Sequence, residues 1–261
     1  MKYYLRIFLA LINTASKRYL EYRWNTFGNL VTSTLSLILV IFFVDIIFSQ
    51  TNNIAGWTKP EVLFFVGTFR VFSSLLSFLY LRSINFIPKY IQRGDLDMFL
   101  VKPVNVQFYV SLCFTRVYEI INLLPGIVLI GYALQSLGGV SWEGWLLLLG
   151  GVICGLLIFY GLYFMCATLA FWFVQFNSLT SIYFVANSFL CFPTDVFGKN
   201  GSLVFTYLIP LGFIVTVPVR IFLAKDPPLF LILSVFFAAL SLWLSVKFWN
   251  YALKHYTSAS S

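Results

Sequence analysis

The sequence predicts an all-α integral membrane protein, and three observations carry the prediction. Of 261 residues, 60% are hydrophobic and 10% charged, with a mean hydropathy of +0.89, which leaves more apolar surface than a water-soluble globule of this length can hide. The apolar residues, 30 Phe among them, come in long runs rather than in the short alternating segments of a transmembrane barrel. The net charge of +8 lies mostly between those runs in a positive-inside pattern, so nucleic acid is not an expected partner.

The first 24 residues set Leu5, Phe8, Leu9 and Ile12 against Lys2, Arg6, Lys17, Arg18 and Arg23, the pattern of an amphipathic helix lying on the inner leaflet. A signal peptide is the rival, but its apolar core from Ile7 to Ile12 is short and is followed by basic residues. Six spans are expected at 28–48, 61–81, 113–135, 144–173, 179–192 and 228–250, the fourth long enough to tilt. From a cytoplasmic N-terminus this threading puts Lys2, Arg6, Lys17, Arg18, Arg23, Arg82, Lys89, Arg93, Lys102, Arg116, Lys247 and Lys254 inside. It leaves only Lys59, Lys199, Arg220 and Lys225 outside, and places both termini in the cytoplasm. From 193 to 226 an apolar sequence is broken by Pro193, Gly198, Gly201, Pro210, Gly212 and Pro218. Such backbone survives at membrane depth only when buried in protein, so a re-entrant hairpin dipping from the outer face is expected; two further helices, giving eight crossings, are the alternative.

Residues 84–103, INFIPKYIQRGDLDMFLVKP, are the long polar interruption between apolar segments. A short helix from Asn85 to Arg93, a left-handed turn at Gly94, an Asp95 cap and a second short helix through Leu100 are expected, with Pro103 as the stop. At helical spacing Leu96, Phe99 and Leu100 share one face, while Asp95, Asp97 and Lys102 point elsewhere. The loop thus offers an apolar ridge to a cytoplasmic partner, or else lies on lipid.

Several chemistries are excluded. The sole histidine, His255, is in the C-terminal tail, and Cys113, Cys154, Cys166 and Cys191 are scattered without C-x-x-C spacing, so no metal site is expected. No Walker-type phosphate loop is present, so no catalytic residue or cofactor is assigned to the chain, and Gly94-Asp95 lacks a second acid that would make it an aspartyl protease. Charges at membrane depth are the remaining candidates for a pathway or subunit interface: Arg70 within span two, Asp45 near the outer end of span one, and Arg116 with Glu119 one turn apart where span three begins. Pro125 and Gly126 suggest a kink in that span.

Three groups of residues resemble one family. They are Glu21-Tyr22-Arg23 with Asn25 and Phe27; Ile91-x-x-Gly94-Asp95-Leu96-Asp97-x-x-Leu100-x-Lys102-Pro103-Val104; and Phe192-Pro193 with Ile209-Pro210 and Val217-Pro218. In these the chain resembles the permease subunits of type-2 ATP-binding cassette exporters, in particular the daunorubicin-type branch. The resemblance implies a single transmembrane domain over residues 1–261 in a bacterial plasma membrane, with a coupling helix at 84–103. Arg93, Gly94, Asp95, Leu96, Asp97, Phe99 and Leu100 would meet separate ATPase subunits, which carry the ATP and Mg2+. A second permease, a related chain rather than a copy, would complete the exporter. Closure of the ATPases would move the docked ridge and open a path for a small amphipathic or drug-like solute. A non-transporting membrane scaffold and a secondary transporter are the other classes, although the latter expects midplane ion ligands and an internal repeat that the sequence lacks.

Overall fold

The computed structural model describes residues 2–21, 23–138, 141–173 and 179–256, without the side chains of 2 and 18–26. Among these residues the chain is helical with no strand. Five stretches are long and apolar enough to cross a bilayer: Phe27–Gln50, Lys59–Arg93, Val117–Leu137, Trp142–Phe171 and Phe230–Lys254. The protein is an all-α integral membrane protein, as its composition requires. The fifth expected span is α9 (Leu179–Leu190), whose 12 residues make about 18 Å of helix against a hydrocarbon core of roughly 30 Å. Residues 174–178 lie outside the described part.

Helix α1 (Lys2–Glu21) forms where the amphipathic pattern predicts it and lies against residues 103–108. Tyr4 packs edge-on to Phe108 at 5.0 Å, and Leu5 and Leu9 are exposed. The basic side chains of Lys2, Arg18 and Arg23 and the group Glu21, Tyr22, Arg23 and Asn25 fall outside the described side chains. Helix α2 (Arg23–Gln50) buries little besides Leu37 and Val44, leaving Leu39, Phe42 and Phe43 exposed as a lipid-facing or partner-facing surface.

The second span differs from expectation. Helix α3 (Lys59–Leu76) passes through a π-helical turn (Ser77–Leu81) straight into α4 (Arg82–Arg93), one helical run of 35 residues. The predicted short helix at 85–93 is therefore continuous with the helix of span two rather than a separate element. Its apolar face decides this: Ser83, Ile84 and Ile87 are fully buried. The chain then turns through Gly94 into α5 (Leu96–Leu100) and α6 (Val106–Leu112).

The third span is also not one helix. Residues 113–116 are non-helical, a short turn follows at Val117–Ile120, and α7 (Leu123–Leu137) begins only afterwards. Peptide groups of this break are satisfied by the π turn and α4: the Phe114 N–H donates to Ser83 Oγ at 2.9 Å and the Arg116 N–H to the Phe78 carbonyl of the π turn at 3.2 Å. Pro125 thus stands in the first turn of α7, where its missing N–H costs nothing, and makes no mid-span kink. Gly126 serves close approach, because a Cβ there would lie 3.0 Å from the Gly67 carbonyl of α3.

Helix α8 (Trp142–Thr168) is the central post, with Ile158, Phe164 and Ala167 fully buried. It packs along α12 (Phe230–Lys254), and at Gly155 the Ile214 backbone comes so close that no side chain fits. Ile214 belongs to the broken segment 193–226, which forms α10 (Gly198–Leu203), a π turn (Val204–Leu208) and α11 (Thr216–Phe222). Neither short helix is long enough to cross a bilayer, so the eight-crossing alternative fails. The irregular stretch between them is buried, with Phe213 and Ile214 at 0% exposure.

Candidate functional site

Three groups of residues carry the functional question, one at each end of the helices and one between. At the hairpin end, Gly94 adopts φ 75°, the left-handed turn that ends α4, and its N–H donates to the Ile91 carbonyl at 3.3 Å. Asp95 stands at the cap position but in helical geometry (φ −64°, ψ −18°), and its side chain makes no cap hydrogen bond, because side-chain capping needs extended backbone there.

The expected ridge is rearranged. Leu96 is fully buried and Phe99 is held between Tyr90 (5.0 Å) and Tyr109 (5.5 Å), so of the three only Leu100 faces outward. Lys102 closes the aromatic cluster, its Nζ lying 4.1 Å from the Tyr109 ring centroid and donating to a Tyr109 hydroxyl at 2.9 Å. The outward apolar face of the hairpin is instead Met98, Leu100 and Val101, the last 84% exposed, with Arg93 beside it. The reason is burial area: Leu96 and Phe99 are the side chains that can reach α4 and α6, so the hairpin folds on them.

Between the ends, Arg70 is not alone. Its guanidinium donates to Ser36 Oγ of α2 at 3.0 Å, and Tyr183 and Cys191 are its electrostatic neighbours. No carboxylate pairs with it among the described residues. Arg116 and Glu119 pair at 3.5 Å, not along a regular helix but within the break before α7, and Glu119 also accepts from Asn122 Nδ2 at 2.8 Å. Arg116 Nε is buried without a hydrogen-bond partner. Tyr183 lies beside Ser73 and Ser77 and within electrostatic reach of Arg116 and Glu119, so α3, α9 and the break share one polar strip inside the bundle. Asp45 is elsewhere, paired with Lys59 at 3.1 Å, both about half exposed at the far end.

That far end holds a cluster the sequence analysis missed. Arg220 bridges Asp195 and Asp226, each at 2.8 Å. Trp57, nearly fully buried, donates its indole N–H to Asp195 at 2.9 Å, and Lys225 lies 4.5 Å from the Trp57 ring centroid. Lys225 also donates to the Gly56 carbonyl at 2.8 Å and pairs with Glu61 at 2.7 Å. Burial lifts the Asp226 carboxyl above the usual range despite Arg220, and Asp195 adds to the lift. The signal was available: the residue 50–61 loop and the 193–226 segment each carry acids and bases that positive-inside counting treats only as outer charges. Among the described residues no three metal-ligating side chains come together.

Among the described residues five long apolar spans and the shorter apolar helix α9, a turned-in hairpin at one end and a broken, charge-latched segment at the other form one frame. The family model for ABC-2 family transporter proteins matches residues 34–260. The chain belongs to that family. Membership makes this chain a multi-pass permease component, whose family works with an ABC ATPase in a lipid bilayer. The match takes in the hairpin, the break and the latched segment, and leaves α1 outside. No curated protein and no solved structure matches the chain significantly.

Proposed function

We propose that this ABC-2 permease is the membrane half of an ATP-driven exporter in a bacterial plasma membrane, with the hairpin at residues 93–102 as its ATPase-docking element. The observation that carries the reading is the build of that hairpin. Arg93, Met98, Leu100 and Val101 are exposed on a small base of buried Leu96 and packed Phe99, and α4 joins that base directly to span two. An exposed apolar tip on a rigid stem suits a partner groove. ATP and Mg2+ belong to the partner, and both termini lie on the hairpin side, in the cytoplasm. The latched segment is read as re-entrant from the outer face. A second permease, a related chain rather than a copy, meets the polar strip around Arg70, which the solute passes; few charges and many aromatics favour a small amphipathic, drug-like solute.

The test is co-purification. Met98→Asp combined with Val101→Asp should abolish recovery of the ATPase while leaving expression and thermal midpoint in detergent unchanged, since both side chains are exposed. An ATPase that still co-purifies in normal yield overturns the docking assignment; if none co-purifies with the unmodified protein either, the exporter reading itself fails.

A further inference from the structure

A cavity of about 530 Å³ opens between the π turn, α6, α8 and α12, walled by helices other than the α2 and α9 that flank Arg70. Its size is within the about 300–1,000 Å³ usual for small-molecule sites. Ile153, Leu156, Leu157, Leu242 and Val246 line one side, and Leu157, Ile153 and Val246 are exposed at its rim. Among the described residues no Asp, Glu, Lys, Arg or His lines it. Tyr160 and Val246 stand 18 and 16 residues along α8 and α12, about 27 and 24 Å from the ends marked by Trp142 and Phe230, hence in the half of the bundle nearer the hairpin.

The floor is polar and organised. Gln107, 7% exposed, donates its amide nitrogen to Ser245 Oγ at 2.7 Å and to the Tyr160 hydroxyl at 3.3 Å, and Tyr160 bonds Ser111 at 2.8 Å. Ser245 and Ser111 are buried as well. These bonds engage only the amide nitrogen; among the described residues no hydrogen bond reaches the side-chain carbonyl oxygen, which can accept one. The adjoining π turn widens α3 at this level, and Tyr80 from that turn lines the cavity with its hydroxyl already held by the Leu156 carbonyl at 2.6 Å.

We infer that this cavity binds an uncharged amphiphile from the bilayer, an acyl or alkyl chain ending in a hydroxyl group that donates to the Gln107 amide oxygen. The apolar walls take the chain, the amide and hydroxyl floor takes the uncharged polar end, and a described lining with no Asp, Glu, Lys, Arg or His selects against phosphate or ammonium head groups. The site is separate from the path proposed for the exported solute and does not depend on it.

The experiment is photolabelling of the intact protein in phosphatidylcholine vesicles doped with a monoacylglycerol carrying a diazirine in its tail. Adducts should concentrate on the segments holding Ile153 to Leu157 and Leu242 to Val246. Leu157→Trp, which fills the cavity from its exposed rim, should remove those adducts and leave labelling of α2 unchanged. Gln107→Leu should lower monoacylglycerol labelling about five-fold, the value of one hydrogen bond, without lowering labelling by a diazirine alkane of equal length. Should Gln107→Leu fail to fold, Leu157→Trp decides alone. Adducts spread evenly over all lipid-facing helices, adducts that persist in Leu157→Trp, or equal labelling by a diazirine phosphatidylglycerol each overturn the assignment.

Discussion

The two ends of the bundle are held by different forces. At the hairpin end the chain is fastened by apolar and aromatic contact: Leu96 in the core, Phe99 between two tyrosines, and a lysine lying over their rings. At the other end it is fastened by charge, with Arg220 between two carboxylates and Lys225 on Glu61 and over Trp57. Apolar packing is non-directional and tolerates small shifts, whereas partly buried ion pairs have narrow geometry and fail abruptly when it is lost. The hairpin end is therefore suited to move as a body, and the latch end to switch between joined and parted.

The contrast breaks most visibly at Leu96. Leu96→Ala removes a fully buried side chain and should cost about 2–5 kcal/mol, read as a lowered thermal midpoint that salt does not change. Next comes Arg220→Met, which leaves Asp195 and Asp226 facing each other without their cation. On the order of 2–3 kcal/mol should be lost at neutral pH. The sign with pH follows from linkage. A carboxyl whose folded pKa is raised, as that of Asp226 is, binds more protons folded than unfolded, so stability returns as pH falls and the loss should shrink at acidic pH. A deficit in Arg220→Met that is the same in acid and at neutral pH would show that the two carboxylates do not repel in the folded state. Smallest is Lys59→Met: its pair with Asp45 is about half exposed on both sides, so the thermal midpoint should change by the equivalent of about 0.5 kcal/mol or less.

How far the sequence foretold these ends also differs. Helix positions followed hydropathy, because a chain in lipid must close its own hydrogen bonds, and Gly94 with Asp95 marked the hairpin turn in advance. Which hairpin face points inward was not legible. Spacing alone groups Leu96, Phe99 and Leu100, and only α4 and α6, folded alongside, decide that the first two turn in. The junction of α3 with α4 was missed for a related reason: polar residues such as Asn85 and Lys89 read as a separate short helix, yet Ile84 and Ile87 beside them are buried. The latch was missed although its charges were in view, because their pairing is mostly long-range, Lys225 and Glu61 lying 164 residues apart, and no local pattern joins those two.

The unbroken run from Lys59 to Arg93 has a mechanical consequence. Its 35 residues form a beam of about 52 Å with the hairpin at one tip and, just beyond the other, Thr58 and Trp57. The π turn sits about 27 Å from the Trp57 tip and is the natural fulcrum, since its backbone is the least regular part of the beam. A deflection of roughly 5° there displaces Trp57 by roughly 2 Å, comparable to the whole 2.9 Å length of its bond to Asp195. Leverage of this kind needs no relay of side chains through the bundle: a push on one tip is a pull on the other.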